Sequence, residues 1–258
     1  MAYDYENFKK DIYKLTNINL SLYKERQMKR RIETLMTRVG FKNFEDYFQG
    51  IKTDEKLLRS FVSYLTINVS EFYRNPNQWE VFEKEMIPYL QNKFGSRLNI
   101  WSAACSTGDE PYTIAMILAR HLPLNKIHIQ ATDIDEDVLR FAKEGFYSAR
   151  SLERLPKDLL NKHFEKQDDG YQIKDDIKAC VEFKKHNLLE DRYPTGMHMI
   201  VCRNVVIYFT DEAKDKVYRQ FNQTLNPGGV LFIGSTEQII HAKELGFNAT
   251  DSFFYEKM

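Results

Sequence analysis

The chain has little of what several common chemistries require. Its three cysteines, Cys105, Cys180 and Cys202, are an odd set without a C-x-x-C pair, which argues against both a disulfide framework and a zinc site. None of the six histidines stands in an H-E-x-x-H or similar ligand spacing, so no metal centre is expected. No apolar run approaches the roughly 20 residues that cross a bilayer. The opening residues, Met1-Ala2-Tyr3-Asp4-Tyr5, have no signal-peptide shape. Charge of one sign is lacking too: 37 Lys and Arg balance 37 Asp and Glu, so nothing global draws the chain to nucleic acid or an anionic membrane. The expectation is a soluble cytoplasmic protein without membrane insertion. Its 258 residues suffice for one large domain or two small ones with a real core.

What is present falls into two patterns. Residues 1–75 read as helical throughout, with apolar stripes such as Phe8, Ile12, Tyr13 and Leu15, then Met28, Ile32, Leu35, Met36 and Val39, then Leu57, Leu58, Phe61, Val62 and Leu65. From about residue 76 strands and helices alternate. Strands are expected at Leu98–Trp101, Ile127–Ala131, Val181–Phe183, Met197–Cys202 and Val230–Ile233, and helices at Pro111–Arg120, Glu136–Glu144 and Glu212–Leu225. This predicts an α/β, doubly wound, mostly parallel sheet covered on both faces, following an all-helical N-terminal domain. Asn226-Pro227-Gly228-Gly229 predicts a turn, and Phe247–Met258 a closing antiparallel hairpin. The stretch near 146–186 interrupts the alternation with a short helix and a polar turn, and reads as a small inserted β-subdomain.

The most telling run is Trp101 to Thr113, in which small residues and one glycine lie between an apolar strand and a helix opening on Asp109-Glu110. A ligand approaches the backbone closely in such a place. No Gly-Lys-Ser/Thr follows, and the full G-x-G-x-x-G pattern is missing. Carboxylates there repel a pyrophosphate but suit a neutral or cationic nucleoside, so the run points to a ligand without phosphates.

In a doubly wound sheet the ligand lies over the carboxyl ends of the strands. Asp133 closes the second strand, placed to bind ribose hydroxyls, or else it or Asp135 caps the next helix. Asn187-Leu188-Leu189 follows the third strand and Cys202-Arg203-Asn204 the fourth; an arginine there needs an anionic partner. Cys105 and Cys202 read as small buried residues rather than nucleophiles. The junction Thr66–Asn75 suits a domain-interface site or a plain linker. Lys24, Arg31 and Arg38 recur every seven residues and share a helix face, either solvated or a dock for an acidic helical partner.

As a set, Asn68-x-Ser70-x-Phe72-Tyr73-Arg74, Trp101–Tyr112, Ala131–Asp135, Asn187–Leu189 and Cys202–Phe209 resemble the CheR family of chemotaxis methyltransferases, over nearly the whole chain. The resemblance implies a class I, Rossmann-like methyltransferase fold and transfer of a methyl group from S-adenosyl-L-methionine to glutamate side chains of bacterial chemoreceptors. The product is S-adenosyl-L-homocysteine. It implies that Asn68, Ser70, Arg74, Glu110, Asp133, Asn187, Leu188, Cys202 and Arg203 line the cofactor pocket. Arg74 and Tyr208 match residues near the transferred methyl, without a metal. The implied partner is the cytoplasmic helical region of membrane chemoreceptors, docked on residues 1–75 through Lys24, Arg31 and Arg38, with the enzyme a monomer. The catalytic domain is then 76–258, and its insert resembles the part that in some members grips a receptor C-terminal pentapeptide.

Three other readings compete. A nucleic-acid methyltransferase of the same fold carries Asp/Asn-Pro-Pro-Tyr/Phe, or a Pro-Cys pair, where this chain has Val201-Cys202-Arg203-Asn204-Val205. A dinucleotide oxidoreductase needs the missing glycine fingerprint. A non-enzymatic sensor would only bind the nucleoside.

Overall fold

The computed structural model describes residues 3–258. Four helices come first: α1 (Tyr5–Thr16), α2 (Glu25–Arg38), α3 (Phe44–Thr53) and α4 (Glu55–Leu65). Side chains that accept from first-turn N–H groups start three of them: Asp4 to Asn7 N at 3.0 Å, Asn43 to Asp46 N at 2.8 Å and Asp54 to Lys56 N at 2.8 Å. Their apolar stripes meet in one core around Phe8, Ile12, Ile32, Leu35, Tyr47 and Phe61, all essentially inaccessible.

Helix does not run on to residue 75, as the sequence suggested. Thr66–Asn75 is an irregular loop in which Ile67, Tyr73 and Asn75 have positive φ. A nearly continuous helical stretch follows instead, α5 (Pro76–Val81), a π turn at Phe82–Met86 and α6 (Ile87–Phe94). The widened turn has a local cause. Pro88 donates no N–H and its ring crowds the carbonyl four residues back, and the bond from Ile87 N to Phe82 O makes room.

Strand–helix alternation then holds: β1 (Leu98–Ala103), α7 (Asp109–Leu118), β2 (Ile127–Asp133) and α8 (Glu136–Glu144). Next come β3 (Phe146–Tyr147), α9 (Lys157–His163), β4 (Phe164–Gln167), β5 (Gly170–Ile173), α10 (Asp175–Lys178) and β6 (Val181–Lys185). The chain closes with β7 (Met197–Cys202), α11 (Asp211–Thr224), β8 (Leu225–Ile233), β9 (Phe247–Asp251) and β10 (Phe254–Lys257). Seven strands form one sheet in the order β6-β2-β1-β7-β8-β10-β9. The first five are parallel, and β10 and β9 form the antiparallel hairpin at the edge.

Alternate side chains of the central strands feed two separate cores. Ile100, Met199, Val201, Val230 and Phe232 pack on one face with α6 and α7; Trp101, Ala103, Ile200, Cys202, Leu231 and Ile233 pack on the other with α11. Burial on both faces is what makes these strands read as apolar runs.

The small sheet, ordered β3-β5-β4, occupies Phe146–Ile173. The expected insert to about 186 is thus shorter as a sheet, because β6 pairs with β2 in the main sheet. The turn expected at Asn226–Gly229 is absorbed within β8. Met197 pairs with Leu225 and Met199 with Val230, so four residues bulge opposite His198.

Candidate active site

The strand order reverses between β1 and β7, so a crevice opens above their carboxyl ends. A cleft of ≈ 990 Å³, solvent at its mouth included, lies there, in the place where open α/β sheets bind their ligands. Four loops and the helical domain build it.

The loop after β1 forms the floor. Ala104, Ser106 and Gly108 have φ of 62°, 48° and 88°, three left-handed residues within five. Side chains are disfavoured in that conformation, which is why the run is made of small residues. Gly108 has a second constraint, since a Cβ there would sit 2.9 Å from Ala142 Cβ and 3.0 Å from Tyr147 Oη. The bent loop turns Ser106 N toward Asp133, whose Oδ2 accepts at 2.8 Å.

Asp133 itself is buried at the end of β2, and its other oxygen accepts from Asp135 N at 3.0 Å. Burial pushes its carboxyl up to about 6, against the pull of the backbone N–H groups. The helix-capping alternative belongs to Asp135, which accepts from Asp137 N at 2.8 Å as the N-cap of α8. Asp133 therefore lines the cleft with lone pairs to spare.

Glu110, on the first turn of α7, accepts from Ser102 Oγ at 2.8 Å. Burial raises its carboxyl pKa, and the Arg203 guanidinium, 3.7 Å away, opposes that. Glu110 is thus the anionic partner that a buried arginine at the end of β7 requires. The Arg203 guanidinium lies over the Trp79 and Phe232 rings, 5.0 and 4.8 Å from their centroids, and its Nη2 donates to Arg74 O, Asn75 Oδ1 and Gln78 Oε1 at 2.9, 3.2 and 2.6 Å. It holds the junction loop against the sheet.

That loop supplies the wall opposite. Asn68 donates to Asp135 Oδ2 at 2.7 Å. Ser70 faces Asp109, whose carboxyl burial shifts upward. Arg74 makes only one long side-chain hydrogen bond, to Val69 O at 3.5 Å, and no ion pair among the described residues. From the far side come Asn187, whose Nδ2 donates to Asn17 O at 2.9 Å, and Leu188. Tyr208 lines the same cleft as Arg74.

Every cofactor-pocket residue expected from the sequence lines this one cleft except Cys202. Cys202 is the last residue of β7 and points to the α11 face, into the second core. Burial there holds its thiol well above the usual range. Asn204, two residues on, lines the cleft in its place. Residues two apart share a face of a continuing strand, but β7 ends at Cys202 and the left-handed backbone at Asn204, φ 62°, turns that side chain to the cleft.

Tyr23 and His186 also line the cleft and belong to none of the motifs read from the sequence. Tyr23 comes from the helical domain, through a bridge to Phe209 that no local signal marks.

Three buried polar atoms in this lining, Ser106 Oγ, His186 Nδ1 and Asn204 Oδ1, have no partner among the described residues. Buried polar groups are normally paired, so these fit a ligand with its own donors and acceptors. With Asp133 for vicinal hydroxyls, they suit the nucleoside of S-adenosylmethionine. Among the described residues no group of three His, Cys, Asp or Glu side chains is placed to hold a metal ion. No helix among them is long and apolar enough to cross a membrane.

The basic face of α2 is reproduced in part. Lys24 and Arg38 are exposed, but Arg31 is half-buried, donating to Tyr64 O at 2.5 Å with its guanidinium 4.5 Å from the Tyr64 ring centroid. Lys24, Arg30 and Arg31 border a shallow groove with Tyr64.

Comparison with known proteins agrees with this geometry. A family model described as the CheR methyltransferase all-alpha domain matches residues 3–66, and one described as the CheR methyltransferase SAM-binding domain matches residues 68–253. Chemotaxis protein methyltransferases of Listeria innocua and Listeria monocytogenes are each 41% identical over 98% of this chain and 97% of the relative. One from Borreliella burgdorferi is 35% identical over 92% of this chain and 89% of its own length.

Proposed function

We propose that this chain, which belongs to the CheR methyltransferase family and is an S-adenosylmethionine-dependent enzyme, methylates glutamate side chains of chemoreceptors, forming methyl esters. The observation that carries the acceptor is Arg74. Its guanidinium stands in the cleft without a carboxylate partner among the described residues, and Tyr208 lines the same cleft.

Asp133 holds the ribose hydroxyls, Asn68, Glu110, Asn187 and Leu188 enclose the rest of the nucleoside and its methionine portion, and Ser70 keeps Asp109 in place. When bound, S-adenosylmethionine supplies an electrophilic methyl group. The acceptor carboxylate is already ionised near neutral pH, its ordinary pKa being about 4.3, so no side chain has to take a proton. Arg74 pairs with one acceptor oxygen and Tyr208 orients the carboxylate by hydrogen bonding. Catalysis then rests on alignment and on excluding water around a charge that is consumed as the ester forms.

The acceptor lies in the cytoplasmic helical region of a membrane chemoreceptor, so the enzyme works in the cytoplasm, as a monomer. A glutamate-rich helix finds complementary charge on α2 at Lys24, Arg30 and Arg38. The test is transfer of labelled methyl groups to receptor-containing membranes, scored for base-labile label.

A further inference from the structure

Glu237 lies outside the motifs read from the sequence, yet it is one of the few buried carboxylates in the chain. It sits just after β8 and accepts four backbone N–H groups. Oε2 takes Gly234 N at 2.7 Å and Asn204 N at 2.8 Å; Oε1 takes Val205 N at 2.9 Å and Val206 N at 3.1 Å. Three of these donors are consecutive. Asn204 is left-handed, with φ 62°, and Val205 right-handed, with φ −115° and ψ −54°. That alternation turns successive N–H groups toward one anion. The three N–H groups open the short 3₁₀ turn Val206–Tyr208, whose first donors have no partner within the turn itself.

From this geometry we infer that Glu237 is a positioning residue for methyl transfer. It fixes the Asn204–Tyr208 loop, and so sets where Asn204 and the Tyr208 ring stand in the cleft. The inference rests on the functional reading above, because Tyr208 is the group it acts through. The opposite side of the loop is held separately, by the bridge from Leu22–Lys24 to Tyr208–Thr210. Glu237 takes the backbone N–H groups at its start, and the Asn204 side chain adds one bond, donating to Thr236 Oγ1 at 3.1 Å. Gly234 belongs to the same arrangement: a Cβ there would lie 2.7 Å from Asn204 N, so any side chain pushes the loop off the carboxylate.

The test uses the full chain with Glu237→Gln and Tyr208→Phe, singly and combined. Glutamine keeps the size but offers one acceptor oxygen, and its NH₂ confronts two N–H donors. In Glu237→Gln, turnover of receptor methylation falls by about tenfold, the scale of losing the Tyr208 hydrogen bond it positions, and more steeply than cofactor affinity measured by calorimetry. Adding Tyr208→Phe then costs far less than it does in the wild type, since the hydroxyl is already displaced. Should Glu237→Gln lose its fold, Gly234→Ala serves in its place, because it leaves the carboxylate and moves Asn204. Wild-type turnover in the variant, a loss matching only the unfolded fraction, or losses that simply multiply with Tyr208→Phe would overturn the inference. A wild-type chain that places no base-labile label on receptor defeats the functional reading itself, and the positioning role with it, and is distinct from all three results.

Discussion

Lys24 donates its backbone N–H to the carbonyl of Tyr208 at 2.9 Å. The residue that begins the basic helix α2 is thereby bonded to a residue that lines the cleft. Thr210 N returns a bond to Leu22 O at 2.9 Å, and the Tyr23 and Phe209 rings meet edge to face at 5.2 Å. A helix docked on α2 is therefore presented at a fixed distance from the reacting centre.

On the proposed reading, Arg74 and Tyr208 carry the acceptor chemistry. Arg74→Ala is expected to lower turnover at saturating cofactor by about 10²-fold or more, the usual scale for losing a preorganised charge contact. Tyr208→Phe loses a single hydrogen bond, about tenfold. Steady-state kinetics with labelled cofactor measure both. Near-normal turnover in Arg74→Ala removes it from the reacting centre.

On the proposed reading, charge on α2 steers the acceptor. Lys24→Glu with Arg38→Glu is expected to raise the KM for receptor several-fold while cofactor affinity stays unchanged, with the difference shrinking at high salt as surface charges are screened. Arg31 is left out because reversing it strands the Tyr64 carbonyl. Equal losses in both affinities, or no loss, contradict the docking role.

Asp133 makes cofactor binding pH-dependent. Its carboxyl is raised from 3.8 to about 6 by burial, so the neutral form is the one the empty fold prefers. Its contribution to stability is complete below pH 3.8 and is lost as pH rises through about 6, at a cost of roughly 3 kcal/mol. Ribose hydroxyls donate to the ionised form, so binding favours proton release and affinity rises with pH across 5–7. Calorimetry in buffers of different ionisation enthalpy measures that release, and Asp133→Asn abolishes it. A pH-independent affinity in the wild type counts against Asp133 as the ribose ligand.

The side on which β7 ends can be checked directly. Cys202→Ala leaves cofactor affinity unchanged and lowers the melting temperature, by about 1 kcal/mol of lost packing, because its thiol lies in the α11 core. Asn204→Ala weakens cofactor binding instead. The reverse pattern would restore Cys202 to the pocket.

The legible parts of this fold were those with a local signal. Apolar runs at β1, β2, β6, β7 and β8 marked a sheet buried on both faces, and the run of small residues before Asp109 marked the bend at Ala104–Gly108. What local pattern could not carry was long-range. Tyr23 reaches the cleft only through pairing with Phe209, 186 positions later in the chain's numbering, and Glu237 acts on N–H groups 31–33 positions away. Thr66–Asn75 carried a helix-like apolar prelude, but its left-handed residues are stabilised by tertiary contacts such as Arg203 to Arg74 O. Backbone groups bonded by distant side chains leave no periodicity behind them.

The most direct measurement incubates the full chain with methyl-labelled S-adenosylmethionine and receptor-containing membranes, then treats the washed protein with mild base. Label that enters receptor glutamates, is released by base as methanol, and vanishes with Arg74→Ala is the predicted result. Label that is base-stable, that resides in nucleic acid, or that never leaves the cofactor although the cofactor binds would contradict it.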